Sequence, residues 1–335
     1  MRGIRPGVRF GCAIIALALI PCQSAFADVG ADAMAAYWRC DYPAALELLR
    51  PAAEQGDPEA QADLAVLYAF GNGVAKDEAQ AASWRRKAAD QGDAEAAYQL
   101  ARMYQSGQGL PQDMVAAFAW LRKAGNAGHR EAQYELALAY KAGRSVPLDA
   151  VMADDWLAKA VSSYRAAAER GDPDAALYLS ELHQSGEGVA LNSEASATWF
   201  RKAVEEYRQT AAKGDVLAQM RLGVMYADGD VAADGLISKS RRADYKEAAK
   251  WYRAAADQGS CAGAEQLALM YARGNGLPRD VVRGYMWFTI AARQGSGRER
   301  LLQLRALYTQ GASSSEVEMA QRLAGSWRPT PFRVP

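Results

Sequence analysis

The side chains best suited to metal binding, nucleophilic attack or proton transfer are two histidines, His129 and His183, and four cysteines. A hydrolytic zinc needs ligands on one helix face, and a nucleophile needs a base beside it. The chain carries no HExxH, GxSxG, phosphate loop or CxxC, and the histidines do not share a helix at metal-ligand spacing. His129 stands at a helix N-cap that Asp93 and Asp172 fill elsewhere, and His183 takes the place of a core tyrosine; both places are structural. Glycine pairs such as Gly71-Asn72-Gly73 resemble part of a nucleotide fingerprint, yet they follow helices rather than strands and are turns. No catalytic residue, metal ligand or cofactor is assigned.

The elements that hold these residues are copies of one stretch, Asp93 to Gly128. Asp93 caps a helix in which Ala96, Ala97, Leu100, Ala101, Met103 and Tyr104 recur at three- and four-residue spacing on one face. Gly107, Gly109 and Pro111 end it and turn the chain. Asp113 then caps a second helix whose stripe is Ala117, Trp120, Leu121 and Ala124. Such a hairpin cannot bury its apolar side alone, so it must stack on others.

The closing glycine recurs at Gly56, Gly92, Gly128, Gly171, Gly214, Gly259 and Gly295, with spacings of 36, 36, 43, 43, 45 and 36 residues. Leucine follows eight residues after each opening glycine (Leu64, Leu100, Leu136, Leu179, Leu222, Leu267). Four further on stand Tyr68, Tyr104, Tyr140, His183, Tyr226 and Tyr271, and the second helices carry Trp84, Trp120, Trp156, Trp199, Trp251 and Trp287. The units are 57–92, 93–128, 129–171, 172–214, 215–259 and 260–295.

On these residues the unit resembles the Sel1-like repeat, a relative of the tetratricopeptide repeat. Ala218-Gln219 with Leu222-Gly223-Val224-Met225-Tyr226, and Trp251-Tyr252-Arg253 leading to Gly259, match its pattern closely. Ser145 and Val231 replace the second turn glycine and Asn192 replaces the capping Asp, which bears on local turn shape. The resemblance implies an all-α fold, an α-solenoid wound as a right-handed superhelix of helical hairpins, used mainly to bind or scaffold proteins. In bacteria it often implies envelope or secreted proteins. Some cysteine-rich relatives have enzymatic activity, which makes a β-lactamase-like hydrolase of the cell envelope one alternative. Those relatives pair cysteines within each unit, and this chain does not. A scaffold of exopolysaccharide export is a second alternative.

The longer units differ in kind. In the third and fourth, seven extra residues between tryptophan and closing glycine, Val161 to Ala167 and Val204 to Thr210, are close to two helical turns and lengthen the second helix without rotating its face. Tyr164 and Tyr207 then reuse the site of Tyr252. In the fifth, the polar insertion lies within 230–247 and reads as a surface loop.

The ends read as an address and two caps. Arg2, Arg5 and Arg9 precede an apolar run, Phe10 to Pro21, and then Ala25-Phe26-Ala27, so residues 1–27 are expected to be a cleaved secretory signal, the chain's one membrane contact. The product is periplasmic in a Gram-negative host and otherwise secreted. Residues 28–56 form an N-terminal helix pair and 296–327 the C-terminal capping helices, with a capping box at Ser315 and Glu318. Trp327 packs down, and 328–335 is a flexible tail. Without the signal, 36 basic residues face 39 acidic ones. That balance speaks against nucleic acid. Cys40 and Cys261 remain, at opposite ends of an elongated fold, where two free thiols or at most an intermolecular bond are expected.

A binding face is expected on the first helices at positions six, ten and thirteen after each opening glycine, apart from the Leu/Tyr packing face and lining the concave side. Its candidate partner-binding residues are Tyr98, Arg102, Gln105, Tyr134, Leu138, Lys141, Leu177 and Glu181, with Tyr98, Arg102 and Tyr134 as the central bet. This aromatic, aliphatic and singly charged mixture suits a peptide segment or helix of another protein.

Overall fold

The computed structural model describes residues 27–231, 243–293 and 298–330, and among them it forms sixteen α-helices. Residues 1–26 of the expected secretory signal, most of the 230–247 loop and residues 331–335 lie outside the described residues. An N-terminal pair, α1 (Ala27–Trp38) and α2 (Tyr42–Glu54), leads into six hairpins. These are α3 (Pro58–Phe70) with α4 (Glu78–Asp90), α5 (Ala94–Ser106) with α6 (Met114–Asn126), and α7 (Arg130–Ala142) with α8 (Ala150–Glu169). Then come α9 (Pro173–Ser185) with α10 (Ser193–Ala212), α11 (Val216–Asp228) with α12 (Tyr245–Asp257), and α13 (Cys261–Arg273) with α14 (Val281–Ala291). The chain ends in α15 (Arg298–Tyr308) and α16 (Ser314–Ser326). From α1 to α15 each helix packs on its neighbours in sequence, the pattern of a tandem solenoid, and α16 returns to pack on α14.

Local chemistry sets the helix ends. Side chains of Asp93, Asp113, Asp149 and Asn192 each accept a first-turn N–H, and His129 does the same with Nδ1. The six register leucines are all at most 1% exposed, which makes them the axis of the core; burying each is worth about 1.5–3 kcal/mol. The inserted residues extend the second helices α8 and α10 to 20 residues against 13 in α6, as the two-turn reading requires. Tyr164 and Tyr207 are buried with Tyr252.

The second turn glycine has a reason that only packing reveals. Gly109 has φ +72°, and a Cβ there would collide with the Glu78 carbonyl of the preceding hairpin. Ser145 stands in the same register and keeps the left-handed backbone at φ 62°, so the turn survives the substitution under strain. Val231 is buried instead, and its turn departs from the pattern. Changing Ser145 to Gly relieves about 1–2 kcal/mol of left-handed strain against a smaller entropic cost. The expected result is a stabilisation of about 0.5–1 kcal/mol in the denaturant midpoint.

Three expectations are corrected. The capping box of α16 uses Ser313 and Glu316, not Ser315 and Glu318; the sequence offers both spacings, and the first lies where the helix begins. The tail is not loose from its start, because the Thr330 N–H donates to the Asp257 carbonyl at 2.8 Å and Pro329 lies against Gly259. Trp327 packs edge-on to Trp287 at 5.8 Å. Most consequentially, Cys40 and Cys261 are joined in a disulfide, with Cα atoms 6.2 Å apart. The solenoid curves until its ends meet, so the distance inferred from an elongated shape does not apply.

Candidate binding face

Tyr98, the centre of the expected face, is engaged within the chain. It is 9% exposed, its hydroxyl donates to Glu135 Oε1 at 2.7 Å, and its ring stacks on His129 at 4.4 Å. Burial and the Glu135 carboxylate push its phenol well above the ordinary tyrosine range. His129 completes the cluster: Nδ1 accepts the Ala132 N–H at 3.2 Å, which leaves Nε2–H to donate to Glu95 Oε2 at 2.8 Å. Both ring nitrogens are occupied, so His129 is a cap with no lone pair to offer. His183 has its Nδ1 3.2 Å from the Ala190 carbonyl at the turn of its own hairpin.

Tyr134 is half-buried and donates to Glu187 Oε2 at 2.6 Å, while Lys141 Nζ approaches the other oxygen at 3.4 Å. The fourth unit's turn is thereby tied to the third. Leu177 packs against the hydrophobic clusters on both sides of it. Met220 of the same register lies in the core. The expectation that positions six form a face separate from packing is therefore corrected: in the closely stacked units they are part of the seam between neighbours. Arg102 and Glu181 are exposed.

Two of the remaining candidates do meet at an open feature. Gln105 and Leu138 line a recess of about 420 Å³ with Met114, Phe118, Glu135 and Arg144, between the α5–α6 hairpin and α7. A second recess, of about 230 Å³, repeats the arrangement between the α11–α12 hairpin and α13, where Val224 and Leu269 hold position ten and Asp228 and Arg273 supply opposite charges. Each is an apolar floor with one acid and one arginine at its rim. The second helix contributes Met114 and Phe118, which a reading confined to first helices misses; the exposed methionine at 44% is the signal.

The tryptophan register is structural. Lys87, Lys123, Lys159 and Lys202, each three residues after a tryptophan, stand over Trp84, Trp120, Trp156 and Trp199 at 3.5–5.4 Å. Arg86, Arg208 and Arg253 donate to Tyr104, Tyr226 and Tyr271, a bond that repeats with a constant 18-residue separation. Among the described residues no group of three or more His, Cys, Asp and Glu could hold a metal ion, and no helix is long and apolar enough to cross a membrane.

Comparison with known proteins agrees with this architecture. The Sel1 repeat family model matches residues 39–57, 58–93, 94–129, 130–163, 173–206, 216–260 and 262–296, well over half of the chain. Its first, short match falls on the segment read as the N-terminal cap. None of the curated proteins matches. Among solved structures, a protective antigen of uropathogenic Escherichia coli displaying an SLR fold is 27% identical over 86% of this chain and 72% of its own, with a TM-score of 0.34. A Sel1 repeat protein from Oxalobacter formigenes is 27% identical over 79% of this chain and 96% of its own, with a TM-score of 0.40. An immunity protein from Pseudomonas aeruginosa, Pa5087, is 19% identical over 80% and 83%, with a TM-score of 0.39.

Proposed function

Because the chain belongs to the Sel1 repeat family, a protein-interaction scaffold fold, we propose that it is an exported, non-catalytic adaptor. It holds a peptide segment or helix of another envelope or secreted protein on the concave face of the solenoid. The observation that carries this reading is the recess at Gln105 and Leu138, where Met114 and Phe118 offer an apolar floor between Glu135 and Arg144. That mixture fits an amphipathic helix or extended peptide better than a sugar or a metal. Recurrence of the recess two hairpins from the chain's end gives a partner segment a second place to hold. Export is supported by the disulfide, since such bonds persist chiefly in oxidising compartments. In a Gram-negative host the protein is then periplasmic. The hydrolase of the cysteine-rich relatives is disfavoured, because here the cystine joins residues 221 apart rather than staples one unit.

Crosslinked affinity capture from the host's envelope fraction tests the reading, with wild type beside a Leu138→Glu, Arg144→Ala variant. Both side chains border solvent, so helicity and melting are expected to hold while one captured protein is lost at least tenfold. Identical captures with both baits would remove the recess from the binding surface.

A further inference from the structure

We propose that Cys40 and Cys261 form a redox clasp, a site of thiol–disulfide exchange that closes the solenoid on itself when oxidised and lets its ends part when reduced. The first ground is register. Cys40 ends α1 as the closing glycines end the second helices: its N–H donates to Tyr37 and the next N–H to Ala36, and Gly56 and Asp57 donate to Ala53 and Ala52 in the same way. The backbone is left-handed at Cys40, φ 57°. The other closing turns described between units have glycine in this conformation, at Gly56, Gly92, Gly128, Gly171, Gly214 and Gly259; among these described closing turns Cys40 is the one with a side chain that the conformation disfavours. That side chain is the one bonded to Cys261.

The second ground is that the closure is made at a point. The helices of the N-terminal pair do not pack along α13 to α16. Turn meets turn instead: a Cβ on Gly259 would lie 3.2 Å from Arg39 Cγ. The hydrophobic clusters on the two sides of the join are separate, which leaves the covalent bond as its chief tie. Third, the bond is reachable. Cys40 is 3% exposed but Cys261 is partly open, and a crevice of about 240 Å³ bordered by Arg39, Asp41, Ile290, Arg293, Trp327 and Pro329 opens on the pair. Cys261 is also the first residue of α13, directly after the Ser260 cap, so its sulfur sits at the helix end that faces the crevice.

On closing, the two thiols release two protons and two electrons as the S–S bond forms. The electrons reduce a protein or small-molecule disulfide, which leaves as two thiols. Opening is the reverse, with a dithiol reductant becoming a disulfide as its hydrogens pass to Cys40 and Cys261.

The test compares the full chain with its Cys40→Gly and Cys261→Ser variants in glutathione disulfide and in dithiothreitol. Cys40→Gly restores the residue that the turn prefers, so it removes the bond with less disturbance of the local backbone than the serine variant, and unchanged helicity is required of it before its scattering is read. A non-reducing peptide map of the wild type is expected to contain the Cys40–Cys261 cross-linked peptide. Small-angle scattering should show a larger maximum dimension after reduction, with helicity unchanged. Cys40→Gly should give the reduced curve in both buffers. Absence of the cross-link in glutathione disulfide, or its presence with scattering that is the same in both redox states, would overturn the clasp.

Discussion

Replacing Cys40 and Cys261 together lowers the unfolding free energy of the oxidised protein by about 5 kcal/mol. The bond spans 221 residues, and closing a loop of that length removes roughly this much chain entropy from the unfolded ensemble. The effect is large beside the 5–15 kcal/mol that keeps ordinary domains folded. It is also felt unevenly, because in a solenoid each unit is held only by its neighbours and the ends are free to fray. Hydrogen exchange in α1, α2 and the first turn of α13 should therefore accelerate more than exchange around Leu136, which is buried mid-stack. Guanidinium unfolding of the oxidised wild type beside the double serine variant checks the magnitude. Equal midpoints would mean that the bond does not form in solution.

The cystine also marks the boundary of what could be read from the residues. Helices, turns and their order are legible because their causes are local: an Asp, or in its place His129, Asn192 or Ser260, capping the repeat helices, leucine eight after a glycine, tryptophan in a fixed register. The two-turn insertions were legible for the same reason, since adding seven residues to a helix preserves its face whatever surrounds it. Closure has no local cause. It is the sum of small rotations between successive units, set by which side chains sit in the seams, and no single position reports it. Cys40 and Cys261 therefore looked remote.

The binding face shows the same limit. Position six was expected to vary because it faces a partner; at Tyr98 it varies because it faces Glu135 and His129 of the next unit. Variation across repeats marks residues that differ in their neighbours, and a neighbouring unit is a neighbour too. Gln105 and Leu138, further along the same helices, do reach the open recess. The constant 18-residue separation of the arginine–tyrosine bonds was available in the sequence and is a better guide, since it names the partner as well as the position.

Asp63 was invisible for a related reason, and it carries the other large effect. Its register is held by Gln99, Glu135, Tyr178, Arg221 and Gln266 elsewhere, an ordinary polar place. In the first unit the residue is 6% exposed, with Tyr37 of α1 close enough to feel its charge. Burial first, then Glu59, Asp93 and Asp57, push its carboxyl from 3.8 up to about 7. Below the unfolded value both states hold the proton, and the residue contributes nothing to stability. As pH rises from there, the unfolded chain ionises while the native carboxyl stays neutral, so stability falls by about 1.4 kcal/mol per pH unit until the native group ionises as well. The full penalty, roughly 2–4 kcal/mol, is present from neutral pH upward. An Asp63→Asn variant escapes it: the gap in unfolding free energy between variant and wild type is expected to widen by roughly 2–4 kcal/mol from pH 4 to pH 8. Any fixed difference in hydrogen bonding by the amide shifts both ends alike and cancels. A gap that stays constant between the two pH values would show that Asp63 ionises normally, and that the first unit is more open around α3 than the packing of α1 implies.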